Sequence, residues 1–266
     1  MFKTRLLSGI ILVILALFLI VTGKEALLFS LLLISLTGMY ELYRIFHIEK
    51  SMAGLTGYLS VVLFYANLWR PVWKESMAFV LAVLVGLMFV YVFTYPKYKT
   101  EQILAAFFGV FYVGVMLSDI YQTRMLTGGA YIVWLIFLCS WGCDTCAYCV
   151  GVLIGKHKMS PKLSPKKSVE GAVGGVIGSM LLTLLYVWVF REPMQAGIRE
   201  QILFAAIGGA GALISMVGDL AASAIKRNYE IKDYGKLRPG HGGILDRFDS
   251  VIFTAPVVYY LAVYLI

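Results

Sequence analysis

Apolar runs of about twenty residues recur from one end of this chain to the other, and they decide most of what it can become. A run of that length crosses the hydrocarbon core as a helix, because no water is there to satisfy an open backbone. Nine spans can be drawn, at residues 5–22, 26–46, 52–69, 77–95, 102–121, 130–154, 171–190, 201–225 and 249–266. The ten-residue alternating segments that build a membrane β-barrel are absent. The expected fold class is therefore all-α: a polytopic helical membrane protein with about nine transmembrane helices. Charge is scarce to match, at 14% of 266 residues where a soluble domain carries about a quarter.

The first run follows Met1-Phe2-Lys3-Thr4-Arg5, which resembles the start of a signal peptide. No small-x-small cleavage site follows, and the run is long for a signal core, so it reads as a retained helix. Lys and Arg set the orientation. With nine spans, seventeen of the 23 basic residues fall on the side that holds the N-terminus. Lys24, Arg70, Lys74, Arg124, Arg191 and Arg199 fall on the other. That bias predicts a multi-pass protein of the plasma membrane with its N-terminus and two long basic loops in the cytoplasm. The net charge of +8 follows from the same bias and suits an anionic lipid surface. No soluble basic domain is present, so nucleic acid is not an expected partner.

Two regions follow. Residues 1–129 read as N-terminal transmembrane helices with short loops, where Glu41 and Arg44 at i,i+3 are expected to form an interfacial ion pair. Residues 130–266 read as the C-terminal catalytic region, because polar residues collect there inside or beside spans. Asp144 lies within the sixth span and Asp219 within the eighth; Asp246 and Asp249 open the ninth. An acid inside a span costs about 2.5–3.5 kcal/mol if it faces lipid, so each should face the protein, a cation or a metal. The bland alternatives are a lysine partner for Asp219 and a helix–helix hydrogen bond for Asp144. Asp246 and Asp249 share a helical face and form a natural Mg²⁺ pair, although either alone could be an N-terminal cap.

Between residues 223 and 249 stand Lys226, Arg227, Lys232, Lys236, Arg238 and Arg247 beside Asp233 and those two acids, around Pro239-Gly240-His241-Gly242-Gly243. Cations suit phosphates, carboxylates suit Mg²⁺, and glycines let backbone N–H groups approach a polyanion. The chemistry expected is phosphate chemistry at a membrane surface. Lys166-Lys167 and Lys226-Arg227 could otherwise be plain cytoplasmic anchors. The 155–171 loop, with two Ser-Pro steps, is expected to be irregular, and its His157 to be solvated. Cys139, Cys143, Cys146 and Cys149 lie on an apolar helix that cannot wrap a cluster, so they read as small hydrophobes. Gly171, Gly174, Gly175 and Gly178 form a close-packing face, serving the bundle or a homodimer contact.

The order Ser223-x-Ile225-Lys226-Arg227, Lys232-Asp233, Gly235, Pro239-x-His241-Gly242-Gly243-x-x-Asp246-Arg247-x-Asp249 closely resembles the signature of the CDP-diacylglycerol synthase (phosphatidate cytidylyltransferase) family. Asp144-Thr145-x-Ala147-Tyr148-x-x-Gly151-x-x-x-Gly155-Lys156 and Ser164-Pro165-Lys166-Lys167-Ser168-x-Glu170-Gly171 resemble it too. Arg238 departs from the pattern, standing where the family usually has an apolar residue.

The resemblance implies that CTP and phosphatidic acid, drawn from bilayer lipid, react in the presence of Mg²⁺ and without a protein nucleophile, giving CDP-diacylglycerol and pyrophosphate. It implies metal binding by Asp219, Asp246 and Asp249, with Asp144 as ligand or neighbour and room for a second cation. Lys226 and Arg227 would grip phosphates, joined by Lys167, Ser168 and Lys232. Gly242 and Gly243 would offer N–H groups to the triphosphate, with His241 and Arg247 fixing the turn. Two other classes fit parts of the chain. An ion-coupled transporter would use Asp144 and Asp219 but should show inverted repeats, which are not found. A lipid-binding protein without turnover explains the basic loops but not four gathered acids.

Overall fold

The computed structural model describes residues 16–74, 76–235 and 242–265. Among them are eight helices long and apolar enough to cross a membrane. They are α1 (Lys24–Ile45), α2 (Met52–Trp69), α3 (Ser76–Phe93), α4 (Thr100–Met125), α5 (Gly129–Ile154), α6 (Val169–Val189), α7 (Ile198–Asn228) and α8 (Leu245–Leu265). These are the second to ninth expected spans, with ends shifted by a few residues. The first expected span lies largely outside the described residues; residues 16–22 are helical. The chain is thus a multi-pass helical membrane protein.

The 155–171 loop departs from expectation. It holds a small antiparallel ribbon of β1 (Lys158–Ser160) and β2 (Ser164–Ser168), with Lys158 opposite Ser168 and Ser160 opposite Ser164. Two strands have only edges, so Pro165 costs the ladder little. With no apolar alternation, the segment carries no strand signal.

The chain divides into two compact units: Met1–Tyr121 with Asp233–Asp246, and Gln122–Lys232 with Arg247–Ile266. In the first, buried Tyr43 reaches from α1 to donate its hydroxyl to the Ala106 carbonyl at 2.6 Å. Gly57 and Gly109 leave room for its ring, since a Cβ at either would meet it. Residues Val110–Val115 of α4 are π-helical. Tyr65 hydrogen-bonds the Gly114 carbonyl there at 3.3 Å and Ser35 at 3.0 Å, so the altered backbone register has a partner.

In the second unit α5 packs on α6 and α6 on α7. The glycine face of α6 turns inward to α5. A Cβ at Gly171 would lie 2.8 Å from the Ala147 carbonyl oxygen, and one at Gly175 3.0 Å from Cys143 Sγ. Gly174 meets Val150, and Gly178 meets Cys146, in the same way. Of the two uses expected for that face, the bundle is the one it serves. Cys139 and Cys143 are buried and donate to the Ile207 and Ala212 carbonyls, whereas Cys149 is exposed. All four are free thiols.

Ser168 ends β2 and caps α6, its Oγ accepting from Gly171 N at 3.1 Å. Ser168→Ala is expected to remove about 1 kcal/mol. For a chain of this size that is about 2–4 °C in the melting midpoint. Thermal unfolding in detergent, followed by circular dichroism, checks it; an unchanged midpoint would show the cap to be dispensable.

Candidate active site

The second unit gathers charge around the middle of α5 and the end of α7. Residues Leu138–Gly142 of α5 are π-helical, ending two positions before Asp144. Ser179 on α6 reaches back to that segment and donates toward the Leu138 and Gly208 carbonyls, at 3.3 and 3.2 Å. A local change of helical register re-aims the side chains that follow, and such segments often mark functional sites.

Lys167, next to the cap at Ser168, extends its ammonium to an ion pair with Asp219 Oδ2. Both side chains are about one-quarter exposed, so the pair is neither sunk in the core nor free on a surface. Asp144, Asp219 and Asp249 lie within electrostatic reach of one another. Lys167 also acts on Asp144, and Lys226 on Asp249. Lys226 stands two turns beyond Asp219 on α7, and it and Arg227 occupy the last turn, where cations complement the helix dipole. Gly218 lets α8 approach at this level: a Cβ there would lie 2.8 Å from the Asp249 carbonyl oxygen and from the Phe253 ring.

A cavity of about 410 Å³ opens beside these groups. Its lining combines the polar Asp144, Lys166, Lys167 and Ser168 with apolar Val152, Met159, Ala172 and Met216. That mixture suits an amphiphile, with a charged head at the lysines and hydrocarbon along the apolar side chains.

Among the described residues no three His, Cys, Asp or Glu side chains converge closely enough to hold a metal ion. Lys167 already neutralises one of the acids. The donor chemistry nevertheless fits a hard cation, since Asp144, Asp219 and Asp249 bring carboxylate oxygens and no thiolate or imidazole.

Other expected site residues stand elsewhere. Arg227, Lys232 and Arg247 are exposed. His241 lies outside the described residues, as do Lys236 and Arg238. Ser168 spends its oxygen on the helix cap. His157 is exposed but not merely solvated, because its Nδ1 lies 2.6 Å from Glu170 Oε1. The same carboxylate accepts from the Lys156 and His157 amides, tying the start of the ribbon to α6.

Asp246 and the glycine turn belong to the first unit. Asp246 Oδ2 accepts from Tyr234 N at 2.7 Å and from Gly243 N at 2.9 Å. Gly243 thus directs its N–H to Asp246. Gly242 takes a positive φ of 74° that a side chain would strain. Glu41 corrects the expected ion pair: it is buried and accepts from Ile244 N and Leu245 N, while Arg44 donates to the Tyr234 carbonyl at 2.8 Å. The overlooked signal is an acid four residues inside the end of an apolar helix, a place that demands a partner.

Among the described residues, eight bilayer-length helices make a multi-pass membrane protein, and its second unit sets cations and carboxylates beside a cavity of mixed polar and apolar lining, a combination suited to phosphate chemistry on a lipid. The chain belongs to the Cytidylyltransferase family, which matches residues 3–265. It is 31% identical over 267 residues to a phosphatidate cytidylyltransferase of Bacillus subtilis (strain 168), covering 97% of each chain. It is 30% identical over 264 residues to one of Staphylococcus haemolyticus (strain JCSC1435), covering 98% of this chain and 99% of that one. A phosphatidate cytidylyltransferase of Synechocystis sp. (strain ATCC 27184 / PCC 6803 / Kazusa) is 36% identical over 141 residues, 52% of this chain and 45% of its own. The resemblance read from the two sequence motifs is borne out.

Proposed function

We propose that this chain joins CTP to phosphatidate, giving CDP-diacylglycerol and pyrophosphate for phospholipid synthesis. The observation that carries the reading is the gathering of Lys167, Asp144, Asp219, Asp249 and Lys226 beside a cavity lined by both charged and apolar side chains. Family membership and the names of the relatives support the same reaction.

An oxygen of the lipid phosphate attacks the α-phosphorus of CTP. A new P–O bond forms there as the bond from the α-phosphorus to the bridging oxygen breaks, and pyrophosphate leaves with that electron pair. The attacking phosphate is already largely ionised at neutral pH, so no strong base and no protein nucleophile is required. The obstacle is repulsion between two polyanions, which positioned cations relieve. Asp219 holds the Lys167 ammonium at the cavity, where it can receive a phosphate. Lys226, Arg227, Lys232 and Arg247 supply further positive charge to the nucleotide or the lipid headgroup. The acyl chains lie along Val152, Met159 and Met216, so the lipid keeps its hydrocarbon out of water.

Asp144, Asp219 and Asp249 would hold Mg²⁺. Asp246 enters through the signature, one helical turn before Asp249. Bound Mg²⁺ would neutralise charge developing on the triphosphate. The positive-inside bias puts the N-terminus and the basic loops in the cytoplasm, where CTP is available.

The test is pyrophosphate release by detergent-purified protein supplied with phosphatidate, CTP and Mg²⁺. Release should require all three and should not occur when ATP replaces CTP. Silence from demonstrably folded protein under those conditions would sink the reading.

A further inference from the structure

We propose that Glu41 is a positioning residue that sets the first turn of α8, and Asp246 with it, from a distant part of the chain. Its side chain is buried, and its two oxygens divide between consecutive amides. Oε1 accepts from Ile244 N at 3.0 Å and Oε2 from Leu245 N at 2.9 Å. These amides stand at the start of α8, where backbone donors have no partner within the helix. A carboxylate there also meets the positive end of the helix dipole.

The surroundings are shaped to that carboxylate. A Cβ at Gly235 or at Gly243 would run into it, so the backbone at both residues comes within contact of Glu41. Arg44, one position short of a turn further along α1, holds the Tyr234 carbonyl. Tyr234 in turn donates its N–H to Asp246 Oδ2, which also accepts from Gly243. α1 therefore holds the backbone at Tyr234 and at Ile244–Leu245, and Tyr234 and Gly243 hold Asp246. A local serine or aspartate could satisfy helix-start amides without burying a charge. An acid 203 residues away in sequence does something a local cap cannot: it ties the start of α8 to α1.

The catalytic consequence rests on the transferase reading above. Glu41→Gln keeps the size of the side chain but leaves one acceptor oxygen for two amides. The expected result is a fall in kcat of about 10- to 100-fold, as for outer residues that orient a reacting group, with KM for phosphatidate unchanged. Amide exchange across residues 242–246 should quicken by about tenfold or more, while exchange in α6 stays as it was. Gly235→Ala, whose methyl meets the same carboxylate, is the second variant and should give the same pattern if Glu41→Gln does not fold. An unaltered kcat in an active, folded variant, or unaltered exchange across 242–246, overturns the proposal. So does a uniform rise in exchange, which would mark a merely structural residue. If the unsubstituted protein releases no pyrophosphate, the transferase reading fails on its own, and the exchange data still decide whether Glu41 holds the turn.

Discussion

Asp219→Asn is expected to reduce pyrophosphate release by about a thousandfold, the scale on which positioned charge acts in a water-poor site. The substitution is nearly isosteric, and the side chain is about one-quarter exposed, so α7 should keep its packing. What changes is charge. Asp219 pairs with Lys167 and lies within electrostatic reach of both Asp144 and Asp249, so its charge acts on three other members of the group. Without it, the Lys167 ammonium loses its anchor, and the Mg²⁺ proposed to bind here would lose one of its carboxylates. The measurement is kcat/KM for CTP at saturating phosphatidate, alongside a melting curve. A loss of less than about tenfold in folded protein would remove Asp219 from the centre of the site, since one ordinary hydrogen bond accounts for that much.

The same residue shows what could be read from sequence and what could not. An aspartate deep in an apolar run must have a partner, so Asp219 and Asp144 are legible as site candidates from the sequence alone. The spans were equally legible, because bilayer thickness sets a length that composition displays directly. Partners across the chain were not. Lys167 is legible as a phosphate-binding candidate, with a plain anchor as the alternative, but its pairing with Asp219 shows only once β2 and the Ser168 cap aim it there. Glu41 looked like half of an i,i+3 pair with Arg44, because helical spacing says which neighbours can meet but nothing of a segment 203 residues on. The π-helical stretches at Val110–Val115 and Leu138–Gly142 have no periodic signature, being a one-residue change of register that neighbouring side chains stabilise. The glycine face of α6 was plain as a close-packing face, but only α5 lying on it distinguishes the bundle from a second copy.

Gly218→Ala is the second large effect expected, and it tests geometry where Asp219→Asn tests charge. The residue precedes Asp219 on α7 and faces the first turns of α8, where an added Cβ would stand 2.8 Å from the Asp249 carbonyl oxygen. Backbone cannot swing aside as a long side chain can, so the helices must separate by a few tenths of an ångström or more. No charge is removed and no hydrogen-bonding group is lost, yet Asp249 moves relative to Asp219. Misplacement of reacting groups by about an ångström costs about a hundredfold in rate, so kcat should fall on that scale. Binding of CTP, measured by calorimetry without lipid, should weaken far less than kcat. Should kcat hold while stability falls, the close contact of α7 and α8 at Gly218 would serve packing alone, and the spacing of Asp219 and Asp249 would not limit the reaction.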